Sequence, residues 1–249
     1  MKIIGFLFLL TVNQVCYAQF DSLQEKTFTF SSQAEKKQSN LLHAVKLPVT
    51  LIGLGTFTCI NHNIINKYHI RDERNEHVPN FHTSIDNYMM HAPALIVYGL
   101  NAAGVKGKND FRNRTLLLLK SEAIMFTLTF TLKSATGELR PDGSDRQSFP
   151  SGHTAQAFAT ATFLAKEYGD QSPWYTVGAY GMATAVGAMR ILNNRHWVSD
   201  VLTGAGIGIL STNIAYLTHR YKWKNKNNKL TVVPAYTTGP ALYLSYTLK

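Results

Sequence analysis

Six apolar stretches, separated by polar or turn-forming residues, occupy most of the chain between Leu47 and Thr218. Residues 47–65 and 88–105 contain no Asp, Glu, Lys or Arg, and residues 115–132 are interrupted only by Lys120 and Glu122. Residues 154–165 are short and alanine-rich, and residues 173–189 are rich in small side chains. Residues 201–218 contain Gly204, Gly206 and Gly208. Stretches of these lengths suit helices better than strands. Small residues three and four apart let helix backbones approach closely. Pro141 and Pro150 flank a Gly/Asp/Ser segment, which breaks the helix between the third and fourth stretches. The pattern predicts an all-α fold, a six-helix bundle over residues 47–220.

An 18-residue helix is ~27 Å long, just enough to cross the hydrocarbon core of a bilayer. The bundle is therefore expected to be membrane-embedded. The mean hydropathy of −0.10 is low for such a protein, which keeps a soluble bundle as the alternative. Residues 1–18 read as a signal peptide: Lys2, an apolar run over residues 3–12, and the small-x-small site Cys16-Tyr17-Ala18. Cleavage there leaves Cys59 alone, without an internal disulfide, as a small hydrophobe in an apolar run.

Residues 19–46 form a polar N-terminal arm. Residues 221–249 begin as a basic linker and end in an extended tail. There, apolar and polar residues alternate about Thr238-Gly239-Pro240, the pattern of a β-hairpin. The expected location is the bacterial cell envelope: exported, membrane-bound, with the active site facing the periplasm. Two cues disagree on orientation. The basic residues at the chain ends and at 106–114 favour a cytoplasmic placement for that side, whereas a cleaved signal exports the mature N-terminus. Both cannot hold for six full spans.

A formal charge of +10 suits an anionic partner. Nucleic acid is not expected, because the basic residues are scattered through apolar stretches and no nucleic-acid module is present.

Three clusters fall in order over 68 residues: Lys133 with Arg140-Pro141, then Pro150-Ser151-Gly152-His153, then Arg190, His196 and Asp200. One Lys and two Arg can neutralise a phosphoryl group. Two His can divide nucleophile and acid duties, and an Asp four residues after the second His shares its helical face and can orient it. Taken singly, H-x3-D suits a helix-surface pair and a His near a helix start suits a cap neighbour. Together they describe one phosphate-handling site.

The ordered set resembles the type 2 phosphatidic acid phosphatase and vanadium haloperoxidase superfamily, in its bacterial membrane-associated lipid phosphatase branch. The resemblance rests on K-SATGEL-RP, PSGH and MR-ILNNR-H-WVS-D and covers roughly residues 46–220. Met189 stands where the family usually has Ser. The resemblance implies that His196 is the nucleophile, forming a phosphohistidine, that Asp200 orients it, and that His153 is the general acid.

It further implies that Lys133, Arg140, Arg190, Ser151 and Gly152 bind the phosphate, with the Ser151 hydroxyl donating to a phosphoryl oxygen. No cofactor or metal is expected. The implied activity is metal-independent hydrolysis of phosphate monoesters or diphosphates of membrane lipids. Lipid A, undecaprenyl diphosphate and phosphatidate are the candidate substrates. A soluble periplasmic acid phosphatase of broad specificity is the alternative, followed by a vanadate-dependent haloperoxidase and a non-catalytic headgroup-binding protein.

Overall fold

The computed structural model describes residues 41–42, 44–61 and 66–220, with the backbone of residues 230–236 and 240–246. The expected signal peptide, most of the polar arm and the basic linker at 221–229 lie outside the described residues. The chain divides into a unit ending at Leu217 and a second beginning at Thr218.

The first unit is all-α: α1 (Ala44–Ile60), α2 (Lys67–His77), α3 (Ile85–Met89), α4 (Ala92–Ala102), α5 (Phe111–Thr136), α6 (Gly152–Tyr168), α7 (Pro173–Leu192) and α8 (Val198–Leu217). In the second unit, β1 (Leu230–Tyr236) and β2 (Pro240–Tyr246) pair antiparallel, with Val233 opposite Tyr243.

α6 is the central helix, packed by α4, α5, α7 and α8. Its composition explains that position. Ala155, Ala157, Ala159 and Ala161 are buried with almost no exposed area, and so are Phe163 and Leu164. Alanines on two opposite faces let neighbours on both sides come close, and the two large residues fill remaining space.

The α8 glycines act in two directions. A Cβ on Gly204 would lie 2.5 Å from the Ser151 carbonyl oxygen, and one on Gly208 would lie 2.3 Å from that of Ala155. Both positions therefore press α8 against α6. Gly206 faces the other way, where a Cβ would meet Pro48 O of α1 at 2.6 Å. Any side chain on these faces would push the helices apart and carry the start of α6 with them.

α5 begins after Asp110 and stops at Gly137, which takes the left-handed conformation at φ 56°. Only α5 and α8, among the described helices, are long and apolar enough to cross a bilayer. They differ in surroundings. α8 is largely buried, whereas α5 exposes Leu119, Phe126 and Phe130. α1 likewise exposes Leu47, Leu54 and Phe57. An exposed apolar face of that extent fits contact with lipid or another apolar partner.

Two segments depart from the apolar pattern. Residues 71–76, charge-balanced and outside the six apolar stretches, lie within α2. Asn66 caps that helix by accepting from the Tyr68 and His69 amides. Arg74 anchors it by donating to the carbonyls of Leu192, Pro79 and Phe81. The apolar stretch 88–105 is not one helix: it breaks between α3 and α4, with Pro93 in the first turn of α4. At 11 residues, α4 is only ~16 Å long, too short to cross a bilayer.

Candidate active site

One end of the helical unit gathers all three sequence clusters. The last turn of α5 supplies Lys133, the α5–α6 loop Arg140 and Ser148, and the first turn of α6 Gly152 and His153. The last turn of α7 supplies Arg190, the α7–α8 loop His196, and the first turn of α8 Asp200. Backbone bonds fasten these segments together. Ser151 N–H donates to Asp200 O at 3.0 Å, and the amides of Arg195 and His196 donate to Arg190 O at 3.1 and 3.3 Å.

Asp200 is fully buried and surrounded by donors. Its Oδ2 receives His196 Nδ1 at 3.3 Å, the Trp197 amide at 3.0 Å and Ser148 Oγ at 2.5 Å. Its Oδ1 receives Ser199 Oγ at 3.2 Å. A carboxylate bonded at Nδ1 fixes the proton there and leaves the Nε2 lone pair available. Burial pushes the His196 imidazole down to about 4, against the opposing bond to Asp200, and the charges of Arg190 and Lys133 push the same way. The ring is therefore neutral at pH 7.

His153 pairs through Nε2 with Asn87 Oδ1 at 2.8 Å. Burial and then the Arg190 charge lower it to about 4, with smaller contributions from His196 and Arg140. A general acid must carry a proton, and an anion held by Arg190 and Arg140 would offset the part of this depression that their charges cause.

The three cations are held differently. Arg190, nearly buried, donates from Nη1 to Asp86 Oδ2 at 2.7 Å, while its Nε and Asp86 Oδ1 are buried with no hydrogen-bond partner among the described residues. Arg140 donates from Nε to Asp145 Oδ1 at 2.8 Å and from Nη1 to Arg195 O at 3.4 Å. Lys133 Nζ donates to Gln147 O at 2.5 Å and more weakly to Ser148 O at 3.4 Å.

Arg140, His153 and Arg190 line one polar cavity of about 260 Å³. Lys133, Gly152 and His153 border a second, apolar one of about 250 Å³. His153 stands between them.

Ser151 is placed otherwise than expected. Its hydroxyl is buried and caps α6, accepting from the Thr154 amide at 3.4 Å and bonding Thr154 Oγ1 at 2.9 Å. The amides of the helix start remain the turn's means of meeting an anion. Met189 packs against the apolar core. Among the described residues Cys59 has no disulfide partner, and it is only partly buried.

Several residues at this site went unread in the sequence. Asp86 and Asn87 come from α3, and Ser148 from the α5–α6 loop. Lys67 of α2 is almost fully buried and pairs with Glu138 at 2.6 Å, with its ammonium 5.0 Å from the Trp197 ring centroid. Trp197 Nε1 donates to Leu139 O at 2.8 Å, so α2 braces both loops. The available signal was a lone acid, Asp86, ahead of an apolar stretch, which marks a charge needing a partner.

Residues 114–224 match the family model described as the PAP2 superfamily. A lipid A 1-phosphatase of Porphyromonas gingivalis is 40% identical over 171 residues, covering 68% of this chain and 37% of that protein. The chain thus spans little more than a third of that relative's length. The crystal structure of the first transmembrane PAP2 type phosphatidylglycerolphosphate phosphatase from Bacillus subtilis matches over 71% of this chain and 99% of its own. The TM-score is 0.51 at 22% identity, a likeness of fold. Lys133, Arg140, His153, Arg190, His196 and Asp200 all fall within the matched segment. By its ordered motifs, its helical bundle and these likenesses, the chain carries a PAP2 superfamily segment over residues 114–224.

Proposed function

We propose that this protein is a metal-independent phosphatase that removes phosphate from membrane lipids through a phosphohistidine on His196. The observation that carries the reading is the buried Asp200–His196 pair beside Arg190, whose Nε is buried without a partner among the described residues. A phosphoryl oxygen would supply that partner, and an intact His/His/Asp set exceeds what binding alone requires.

In the proposed cycle, Lys133, Arg140 and Arg190 hold the phosphoryl oxygens as charge spreads over them. His196 Nε2 attacks phosphorus, forming a P–N bond as the P–O bond to the lipid breaks. His153 gives its proton to the departing oxygen. The same residue then takes a proton from water, which attacks phosphorus, breaks the P–N bond and releases inorganic phosphate. Arg suits the bidentate contacts, and Lys acts as a point charge.

The exposed apolar faces of α1 and α5 support a lipid substrate and a membrane location. The name of the P. gingivalis relative makes lipid A the first candidate, ahead of undecaprenyl diphosphate and phosphatidate. The site is proposed to face the periplasm.

The test is phosphate release from purified lipid phosphates in detergent with excess chelator. Turnover should persist, and a requirement for divalent metal would overturn the mechanism. Recovery of all activity in a detergent-free osmotic-shock fraction would favour a soluble acid phosphatase instead.

A further inference from the structure

The cavity on the α5 side of His153 differs in character from the cationic one. Met90, Met125, Phe126 and Phe130 give it apolar walls, and Lys133 and His153 border it. Phe126 and Phe130 are largely exposed on α5, their rings stacked with centroids 6.0 Å apart. The groove therefore joins the reacting centre to the outer apolar face of the unit.

One wall residue departs from this pattern. Gln156 lies three residues after His153 on the same face of α6 and lines the groove. Its Nε2 donates to Glu122 Oε1 of α5 at 2.8 Å. A carboxylate only accepts, so the amide is held with its nitrogen toward Glu122, and among the described residues its carbonyl oxygen has no partner. A polar group in an apolar groove carries a desolvation cost unless something bonds it. Its offset from His153 is ~4.5 Å along the helix, the reach of a substituent on the carbon next to the phosphorylated one.

We infer that the groove takes the part of the lipid adjoining the phosphate, and that Gln156 selects lipids bearing a hydrogen-bond donor there. An amide N–H or a hydroxyl is favoured over hydrocarbon alone. This rests on the lipid phosphatase reading and sharpens it. Lipid A carries an acylated nitrogen beside the carbon of its 1-phosphate. Phosphatidate offers only ester acceptors, and a polyprenyl phosphate offers neither.

The experiment measures kcat/KM in one detergent for ceramide 1-phosphate, phosphatidate and undecaprenyl phosphate, with a water-soluble aryl phosphate alongside. The full-length wild type should prefer them in that order. Gln156→Met should lower the ratio of ceramide 1-phosphate to undecaprenyl phosphate roughly three- to tenfold, the worth of one hydrogen bond. Glu122→Gln keeps a hydrogen-bonding neighbour but lets the amide turn over, so it should lower the ratio part of the way. It decides the matter should Gln156→Met fail to fold.

An unchanged ratio overturns the inference while leaving the lipid reading intact. Hydrolysis of the aryl phosphate with no lipid turned over would remove the lipid reading and this inference with it.

Discussion

Replacing Asp200 by Asn separates charge from geometry at the proposed nucleophile. Oδ2 accepts from His196, Trp197 and Ser148, and Oδ1 from Ser199. An asparagine can present its carbonyl to the first three donors and its amide to the Ser199 hydroxyl, which can accept as well as donate. The loop and the His196 ring should therefore stay in place.

The negative charge is what disappears. As His196 attacks, its ring becomes cationic about 4 Å from that carboxylate, where two unit charges interact by about 4 kcal/mol at an effective dielectric of 20. Losing most of that stabilisation predicts a fall in kcat of roughly a thousandfold, with KM changed little, since the ring is neutral before reaction. Steady-state phosphate release from one lipid phosphate reads the rate, and thermal unfolding in the same detergent reports the fold. A loss below tenfold in a folded Asp200→Asn protein would refute the assigned role.

The pH dependence follows from the same burial. His196 is depressed to about 4, so it stays neutral until acid approaches that value. The acid limb of kcat/KM, corrected for ionisation of the substrate, should turn down near pH 4 rather than near 6.5. Between those values the unfolded chain binds more protons than the folded one, so ligand-free stability should rise with pH by up to ~1.4 kcal/mol per unit per histidine. Unfolding melts at pH 5 and 7 measure this, and equal stability would contradict it.

Asp86→Ala strands the Arg190 charge and should cost about 3–5 kcal/mol. Added inorganic phosphate should raise the Tm of the variant more than that of wild type, because it supplies the missing counter-charge. Gly204→Ala should lose about 1–3 kcal/mol through overpacking against Ser151 and reduce turnover. Gly53→Ala, with no described residue within 4 Å of its Cβ, should leave activity intact.

Much of this was legible because apolar runs and charged clusters are local features. The third to sixth stretches foretold α5 to α8 to within a few residues, and Gly204, Gly206 and Gly208 foretold close packing. The spacing of Lys133, Arg140, His153, Arg190, His196 and Asp200 pointed to one site, and one end of the bundle gathers those residues.

What escaped notice depends on distant partners. α2 has no apolar stripe to announce it and is held by Lys67 on Glu138 and Arg74 on Leu192 O, pairs 71 and 118 residues apart. Asp86, Asn87 and Ser148 gain meaning only when α3 and the α5–α6 loop reach Arg190, His153 and Asp200. The break before α4 was visible in Pro93, yet the charge-free run around it read as continuous. Ser151 begins a helix three residues before Thr154, a capping arrangement, but its place in the PSGH motif invited a ligand-binding role for the hydroxyl.

The central claim is a covalent phosphoryl group on one particular imidazole. Rapid alkaline quench during turnover of a radiolabelled lipid phosphate, followed by peptide mapping, tests it directly, because a phosphoramidate survives base. The account predicts label on the peptide containing His196, accumulating when His153→Ala slows its hydrolysis and absent from His196→Ala. Turnover with no labelled protein, or label on His153, would contradict it.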